Sequence, residues 1–227
     1  MYEEIKMSYL KGHPLFAGET EQKILEACSL SKIKTVYRGE TFNYGNGNYS
    51  KIFLLLNGKI KISESNEPDN ELIKDILTSP DVFGDLGLEC IPPIEEFAEA
   101  LTANTTVFVF NVVDFKILLQ GNPTMAIKYA NMVNQKLKKL EHRHYELVFR
   151  DAKSRLISFI KFWAQSDGSR IGDKIILNNY LTHSDIAAVI SISRQSVNSL
   201  LNELRDSGLL IYDRKKIELN NLCKWTG

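Results

Sequence analysis

Two neighbouring side chains, Arg194 and Gln195, carry the clearest chemistry in this sequence. An arginine can bond guanine O6 and N7 together, and a glutamine can bond adenine N6 and N7 together. They open the stretch "SRQSVNSLLNELRDSGLL", in which Val197, Leu200, Leu201 and Leu204 repeat at i, i+3, i+4 and i+7. That spacing buries one face of a helix and leaves Arg194, Gln195, Asn198 and Ser199 outward near its start. Ser193 is placed to cap this helix. Upstream, Thr182 precedes Asp185 by three residues, a capping-box spacing for a shorter first helix. Free N–H groups at both helix starts, together with Thr182 and Ser193, suit phosphate oxygens. Short helix, tight turn at Ser191-Ile192 and capped second helix together predict a DNA-reading pair rather than a plain helical hairpin with a solvated face. Beyond Gly208, the runs Leu209–Tyr212 and Ile217–Leu219 flank Asp213-Arg214-Lys215-Lys216. They form a hairpin whose basic tip, Lys215 and Lys216 included, can touch a phosphate.

A second stretch, "FGDLGLECIPPIEEFAEA" from Phe83 to Ala100, has the glycine-framed acid of a ligand-gripping turn in Gly84, Asp85 and Leu86. No lysine or arginine occurs from Asp75 to Phe115, so the stretch holds no cation for an anionic ligand. Nothing in the chain resembles a catalytic or metal constellation. His13, His142, His144 and His183 lack metal spacing, no phosphate-binding glycine loop occurs, and no nucleophile stands out. No cofactor and no enzyme activity are expected.

Three segments of different period must position these residues. Residues 1–122 open with a helical stretch near Glu19–Cys28. They continue as short apolar runs, Ile33–Tyr37, Ile52–Leu56, Lys59–Ser63, Leu72–Leu77 and Thr105–Phe110. Turns at Arg38-Gly39, Tyr44-Gly45-Asn46-Gly47 and Asn57-Gly58 separate them, which predicts an antiparallel barrel or jelly roll. Asn57-Gly58, flanked by apolar residues, gives the strongest hairpin signal. In residues 123–149 the seam Ala126, Ala130, Val133, Leu137, Leu140, His144, Leu147 keeps spacings of four and three over three heptads, after a first-turn Pro123. It predicts a long helix paired with a second copy; packing on its own domain is the alternative. His144 is then an interface residue, packed or pH-sensitive. It is no metal ligand, since His142 points to another face. Residues 150–227 begin with a helix over Ala152–Gln165, whose inner face is Leu156, Phe159, Ile160 and Trp163, and end in the helix pair and hairpin.

Net charge is zero, but unevenly spread. Residues 1–122 hold 11 basic and 18 acidic side chains (−7), residues 123–149 hold 5 and 2 (+3), and residues 150–227 hold 12 and 8 (+4). An acidic front and a basic rear suit different partners, unless the gradient is chance scatter. The longest strongly apolar run, Ile52–Leu56, cannot span a bilayer, and Met1–Leu10 lacks a signal peptide's apolar stretch. Three distant cysteines, Cys28, Cys90 and Cys223, read as free thiols in a reducing cytoplasm. Cys90, within the glycine-framed stretch, is the one with a conceivable redox role.

The sequence resembles the CRP/FNR family of bacterial transcription regulators from about His13 to Leu222, most specifically over Leu181–Leu210. The resemblance implies an α+β chain: an N-terminal antiparallel β jelly roll like a cyclic-nucleotide-binding domain, a long dimerisation helix and a C-terminal winged helix-turn-helix. It implies a homodimer on double-stranded DNA, with RNA polymerase a possible further partner and no membrane. It places Arg194, Gln195 and Ser199 on base contacts, and Thr182 and Ser193 on phosphate contacts. Family members often carry arginine where Ser199 stands, so a different target sequence is expected.

The resemblance also explains the glycine-framed stretch. Members that bind cyclic nucleotides have a Gly-Glu-Leu turn, then Arg-Ser/Thr-Ala, the arginine and hydroxyl holding the cyclic phosphate. Here Gly84, Asp85 and Leu86 match the first half with a shorter acid, and Glu96, Phe97 and Ala98 replace the second. Leu140 and Glu141 stand where the long helix offers adenine-contacting hydroxyls. A bidentate arginine–phosphate contact comprises two charged hydrogen bonds of roughly 1.5–3 kcal/mol each. Its loss weakens binding by about a hundred- to ten-thousandfold, and a carboxylate facing a phosphate is worse. The roll is therefore expected to refuse cyclic AMP and to sense another neutral or cationic small molecule, or none, unless Lys59, Lys61 or Arg38 reaches the pocket. Alternatives are a cyclic-nucleotide-gated regulator of the same fold and a ligand-binding dimer that has lost DNA binding.

Overall fold

The computed structural model describes residues 2–45, 50–67, 70–91, 95–213 and 215–220. Asn46-Gly47, Arg214 and Cys223, singled out above, lie outside the described residues. The chain divides into two compact units, Met1–Lys139 and Leu140–Gly227.

The first unit opens with helix α1 (Tyr2–Gly12), a 3-10 turn at Pro14–Phe16 and helix α2 (Glu21–Ser29), capped by Thr20. Eight strands follow: β1 (Ser31–Val36), β2 (Thr41–Phe42), β3 (Lys51–Asn57), β4 (Lys59–Glu67), β5 (Asn70–Thr78), β6 (Val82–Gly84), β7 (Glu96–Ala100) and β8 (Thr105–Asn111). They form two antiparallel four-stranded sheets, β1-β8-β3-β6 and β2-β7-β4-β5. One cluster lies between them, including Phe42, Tyr44, Phe53, Leu55, Ile60 and Phe83. A second joins the first sheet to the helices through Phe16, Ile24, Leu54, Phe108, Phe110 and Phe115. Because β3 feeds both clusters, Ile52 to Leu55 are all buried, a continuous apolar run rather than an alternating one.

The Asn57-Gly58 hairpin expectation is wrong. β3 and β4 belong to different sheets, and both edges of β3 are occupied by β6 and β8, which leaves β4 no partner edge there. The pair is a corner where the chain changes sheets, after a register irregularity between Leu55 and Asn57. Gly58 has φ +95°, and a Cβ on it would lie 2.5 Å from Thr105 Oγ1 and 2.8 Å from Thr105 Cα, so only glycine fits. The hairpin of this region is β4–β5, closed by the pair Glu67 and Asn70.

Helix α3 (Val112–Gln120) precedes the long helix α4 (Pro123–Phe149), which starts at Pro123 with the Asn122 side chain accepting from the Met125 N–H at 3.3 Å. Residues 123–139 of α4 lie in the first unit, where Met125 and Tyr129 enter the second cluster with Ala126 and Val133 packed beside them. The early seam thus packs partly on its own domain. Ala130, Leu137, Leu140, His144 and Leu147 are exposed. Several of the helix's cations meet acidic groups of the first unit: Lys128 meets Glu19 at 3.5 Å, Lys136 meets Asp75 at 3.4 Å and Asp81 at 3.2 Å, and Lys139 meets Asp81 at 3.6 Å. Part of the charge gradient is therefore spent inside this unit.

The second unit adds α5 (Ala152–Asp167), capped by Asp151, then β9 (Ser169–Ile171), β10 (Lys174–Asn178), α6 (His183–Ile190), α7 (Arg194–Asp206), β11 (Leu210–Tyr212) and β12 (Lys216–Asn220). Its antiparallel sheet has the order β11-β12-β10-β9. Leu156, Ile160, Trp163, Leu177, Leu201 and Leu219 are among its buried residues. Phe159 is half-buried and in ring contact with Trp163 at 5.8 Å. Among the described residues no helix is long and apolar enough to cross a membrane, and no group of three acidic, histidine or cysteine side chains could hold a metal.

Candidate functional site

The exposed start of α7 is set by two caps and one turn. Asp185 N–H donates to Thr182 Oγ1 at 3.0 Å while the Thr182 N–H and hydroxyl donate to Asp185 Oδ2 at 2.8 and 2.7 Å, a complete capping box at the start of α6. Ser191 ends the helix in a left-handed conformation (φ 55°), and the Ile192 N–H returns to the Ala187 carbonyl at 3.1 Å. Ser193 then caps α7 by accepting from the Ser196 N–H at 3.0 Å. Ile186, Ala187 and Ile190 of α6 and Val197, Leu201 and Leu204 of α7 are buried, with Leu200 half-buried.

Inward placement of those residues leaves Arg194, Gln195, Asn198 and Ser199 exposed on the first turns of α7. Arg194, Gln195 and Asn198 line an open concavity of about 570 Å³. His183, the first residue of α6 and absent from the expected contact set, lines it too. Its signal in the sequence was position alone, one residue after the cap. Thr182 and Ser193 are exposed beside their helix starts. In the hairpin after α7, Asp213 Oδ1 accepts from the N–H groups of Lys215 (2.6 Å) and Lys216 (2.8 Å), which hold its carboxyl below the usual range. Lys215 is exposed, whereas the Lys216 ammonium is engaged by Glu218 at 2.8 Å.

In the roll, Gly84 ends β6 at φ +99°, where a Cβ would sit 2.4 Å from the Lys51 carbonyl. Asp85 is buried, with its N–H on the Lys51 carbonyl at 3.0 Å and its Oδ2 accepting from Ser50 Oγ at 2.9 Å. The next residue, Leu86, offers its carbonyl to the Tyr129 hydroxyl of α4 at 2.7 Å. Burial, then the Asp85 carboxylate, pushes the Tyr129 phenol far up, so this hydroxyl stays a donor.

Glu96 opens β7 opposite Glu64 of β4, while Phe97 is half-buried and Ala98 sits in the core. A cation does reach Glu96, and it is Lys74. Its ammonium lies 2.8 Å from Glu96 and 3.0 Å from Glu64. Burial opposes its charge, but hydrogen bonds to the two carboxylates outweigh that and raise its pKa. Tyr44 faces the same carboxylate; burial, then the Glu96 charge, pushes its phenol far up. Of the three basic residues named above as the exception, Lys61 pairs with Glu71 at 3.0 Å and Glu99 at 3.4 Å. Deeper in, Phe53 and Phe83 stack at 4.7 Å with Phe42 edge-on to both, so aromatic rings fill the space between the sheets. Cys28 and Cys90 are free thiols, Cys28 buried.

A two-sheet roll, a long helix and a capped helix pair followed by a hairpin define the architecture of a helix-turn-helix DNA-binding regulator with an N-terminal β-roll. The Crp-like helix-turn-helix domain matches residues 154–224. The chain is 30% identical over 193 residues to the Global nitrogen regulator of Synechococcus elongatus, covering 84% of this chain and 86% of that one. It is 23% identical over 208 residues to the Anaerobic regulatory protein of Bacillus subtilis, covering 91% and 87%. Among solved structures, a CooA mutant from Carboxydothermus hydrogenoformans shares the fold with a TM-score of 0.75 at 22% identity, covering 97% of each chain. FixK2 from Bradyrhizobium japonicum shares it at 0.73 and 17%, covering 86% of this chain and 95% of that one. The chain belongs to the CRP/FNR family: it is a transcription regulator with a helix-turn-helix DNA-binding domain, and its relatives are regulators rather than enzymes.

Proposed function

We propose that the protein acts as a homodimer on a near-palindromic operator, reading bases with Arg194, Gln195, Asn198 and Ser199, and that its roll takes no cyclic nucleotide. In this scheme residues 1–122 are the sensor-type domain, 123–149 the dimerisation helix and 150–227 the DNA-binding domain. Thr182, Ser193, Lys215 and Lys216 contact phosphates, and the setting is the cytoplasm. A two-fold axis requires half-site centres roughly 34 Å apart.

The observation that carries the DNA reading is the exposed polar end of α7, with a guanidinium and two carboxamides on one concavity. Selection of duplexes from a random pool by the purified protein tests it. A half-site motif repeated about one helical turn apart is expected, and recovery of unrelated sequences would sink the reading. Loss of binding in Arg194→Ala separates it from a dimer that no longer uses DNA.

Refusal of cyclic nucleotides is supported by Lys74 between Glu64 and Glu96. Two carboxylates and one ammonium leave this side of the roll with a net negative charge, so a cyclic phosphate would meet repulsion and would have to displace an ion pair. Asp85 is buried, with its Oδ2 already accepting from Ser50. Any effector of the roll is then neutral or cationic. Calorimetric titration with cyclic AMP and cyclic GMP should give no micromolar binding; such binding to the wild type ends this part of the proposal.

A further inference from the structure

Helix α4 ends at Phe149 and α5 begins at Ala152, with only Arg150 and the cap Asp151 between them. So short a backbone link does not by itself fix the angle between two helices, and side chains must do so. Arg155, on the first turn of α5, reaches both ways from this junction. Its Nη1 donates to the Leu147 carbonyl near the end of α4 and its Nη2 to the Ser191 carbonyl, each at 3.5 Å. Ser191 is the left-handed residue that turns α6 into α7. A second guanidinium, that of Arg143 on α4, donates to the Ala188 carbonyl in the last turn of α6 at 3.4 Å. The last carbonyls of a helix lack partners within it and carry its negative end, so cations suit them. Arg150, in the link, is engaged by the buried Glu146 of α4 at 3.1 Å. The Nε of Arg155 is closed off from solvent and has no hydrogen-bond partner. Burying that donor costs free energy, so Arg155 is not a mere solvated surface charge. Lys153 also joins α5 to Glu203 of α7 at 2.5 Å, but at 46% and 55% exposure that pair is worth little.

A guanidinium is a rigid planar fork that can bond two separate carbonyls, where an ammonium is a single point. The three bonds are long and individually weak, but they come from two helices and converge on one turn. We propose that Arg155, with Arg143, is a positioning residue for DNA reading: the pair ties the α6–α7 turn to the end of α4, and so sets which half-site spacing the dimer accepts. This rests on α7 reading the groove and α4 pairing two copies, as proposed above. Two reading heads on rigid arms gain avidity only where the half-sites match their span, whereas loose arms bind less tightly and tolerate other spacings. Neither arginine is among the residues assigned to bases or phosphates, so one head can bind one half-site without them.

The test uses the full-length protein and labelled duplexes built on the selected operator. One keeps the native spacing, two carry longer spacings, and one has a single half-site beside a scrambled one. By anisotropy at constant salt, the wild type should prefer the native spacing over the longer ones by about a hundredfold. In Arg143→Ala with Arg155→Ala that preference should fall below about tenfold, while affinity for the single half-site stays within about twofold of the wild type. Arg155→Lys keeps the charge at the helix ends but loses the fork, so it should fold like the wild type and still relax the spacing preference. A full wild-type preference in these variants would overturn the inference. So would a half-site affinity that falls along with the full site, which marks a phosphate contact or a damaged domain. Should far-UV circular dichroism show the double variant unfolded, Arg155→Lys decides alone. A wild type that binds the full site no better than the half-site removes the dimer, one that does not prefer either to a scrambled duplex removes the DNA reading, and the inference falls with each.

Discussion

Truncating Leu137 and Leu140 together tests the proposed dimer. The two residues are 51% and 60% exposed on the protomer, three positions apart on one helix. Burying a whole leucine side chain is worth about 1.5–3 kcal/mol, so covering the exposed half of each against a second copy gains about 1 kcal/mol. A two-fold axis counts each change twice. Leu137→Ala with Leu140→Ala therefore removes about 4 kcal/mol, which raises the dimer dissociation constant about a thousandfold. Neither residue belongs to the packed clusters of the first unit, and alanine is the best helix former, so the protomer fold is spared. Sedimentation equilibrium over a range of concentrations measures the constant, and far-UV circular dichroism checks the helix. An unchanged constant in a well-folded variant, or a wild type that stays a single subunit, would refute the seam.

Other expectations concern DNA, the corner and a buried histidine. Arg194→Ala should cost about 1–3 kcal/mol on the selected site and relax preference at one base, measured by anisotropy against single-base variants. Lys215→Ala should weaken all sequences alike and flatten the salt dependence, with Lys216→Ala smaller because Glu218 holds that ammonium; equal, sequence-blind losses for Arg194 and Lys215 would overturn the groove assignment. Gly58→Ala should destabilise the protein by at least about 1–3 kcal/mol, since a positive φ and a Cβ 2.5 Å from Thr105 Oγ1 act together; an unchanged denaturant midpoint would rule out the corner. His13 is buried and its pKa is pushed down to about 4, first by burial, against the opposing pull of the Pro80 carbonyl and Asp81. The unfolded chain binds the proton first, so stability is full above about pH 6.5 and falls by about 3 kcal/mol as pH drops to about 4. In His13→Gln this acid-dependent loss should be absent from urea titrations, whatever the variant's stability at neutral pH.

Local signals were legible where a few neighbouring residues decide the outcome. Thr182 with Asp185, Ser193 before an apolar stripe, Pro123 after Asn122 and the run Thr105–Phe110 each fix their element through short-range geometry. Asn57-Gly58 misled because the turn chemistry of a hairpin also serves a sheet change, and only the occupied edges of β3 tell them apart. Helices α1 and α3 passed unnoticed: α1 is short and mixed, and α3 is apolar on most faces, so neither shows a clean amphipathic stripe. Lys74 escaped notice one residue before the stretch that lacks basic side chains, and it is the residue skipped where the β4–β5 register shifts between Ile62 and Ser63, which no local sequence pattern marks. Glu96 faces Glu64 across β4 and β7, and β5 brings the ammonium to both. The heptad seam was read as a single surface, whereas Ala126 and Val133 lean on the helix's own unit.

The ammonium of Lys74 changes what the roll can be used for. Repulsion between Glu64 and Glu96 is already answered from within, so on the proposed reading this domain folds and persists without waiting for a guest. Starvation for a nucleotide second messenger would leave such a protein as abundant and as intact as plenty would.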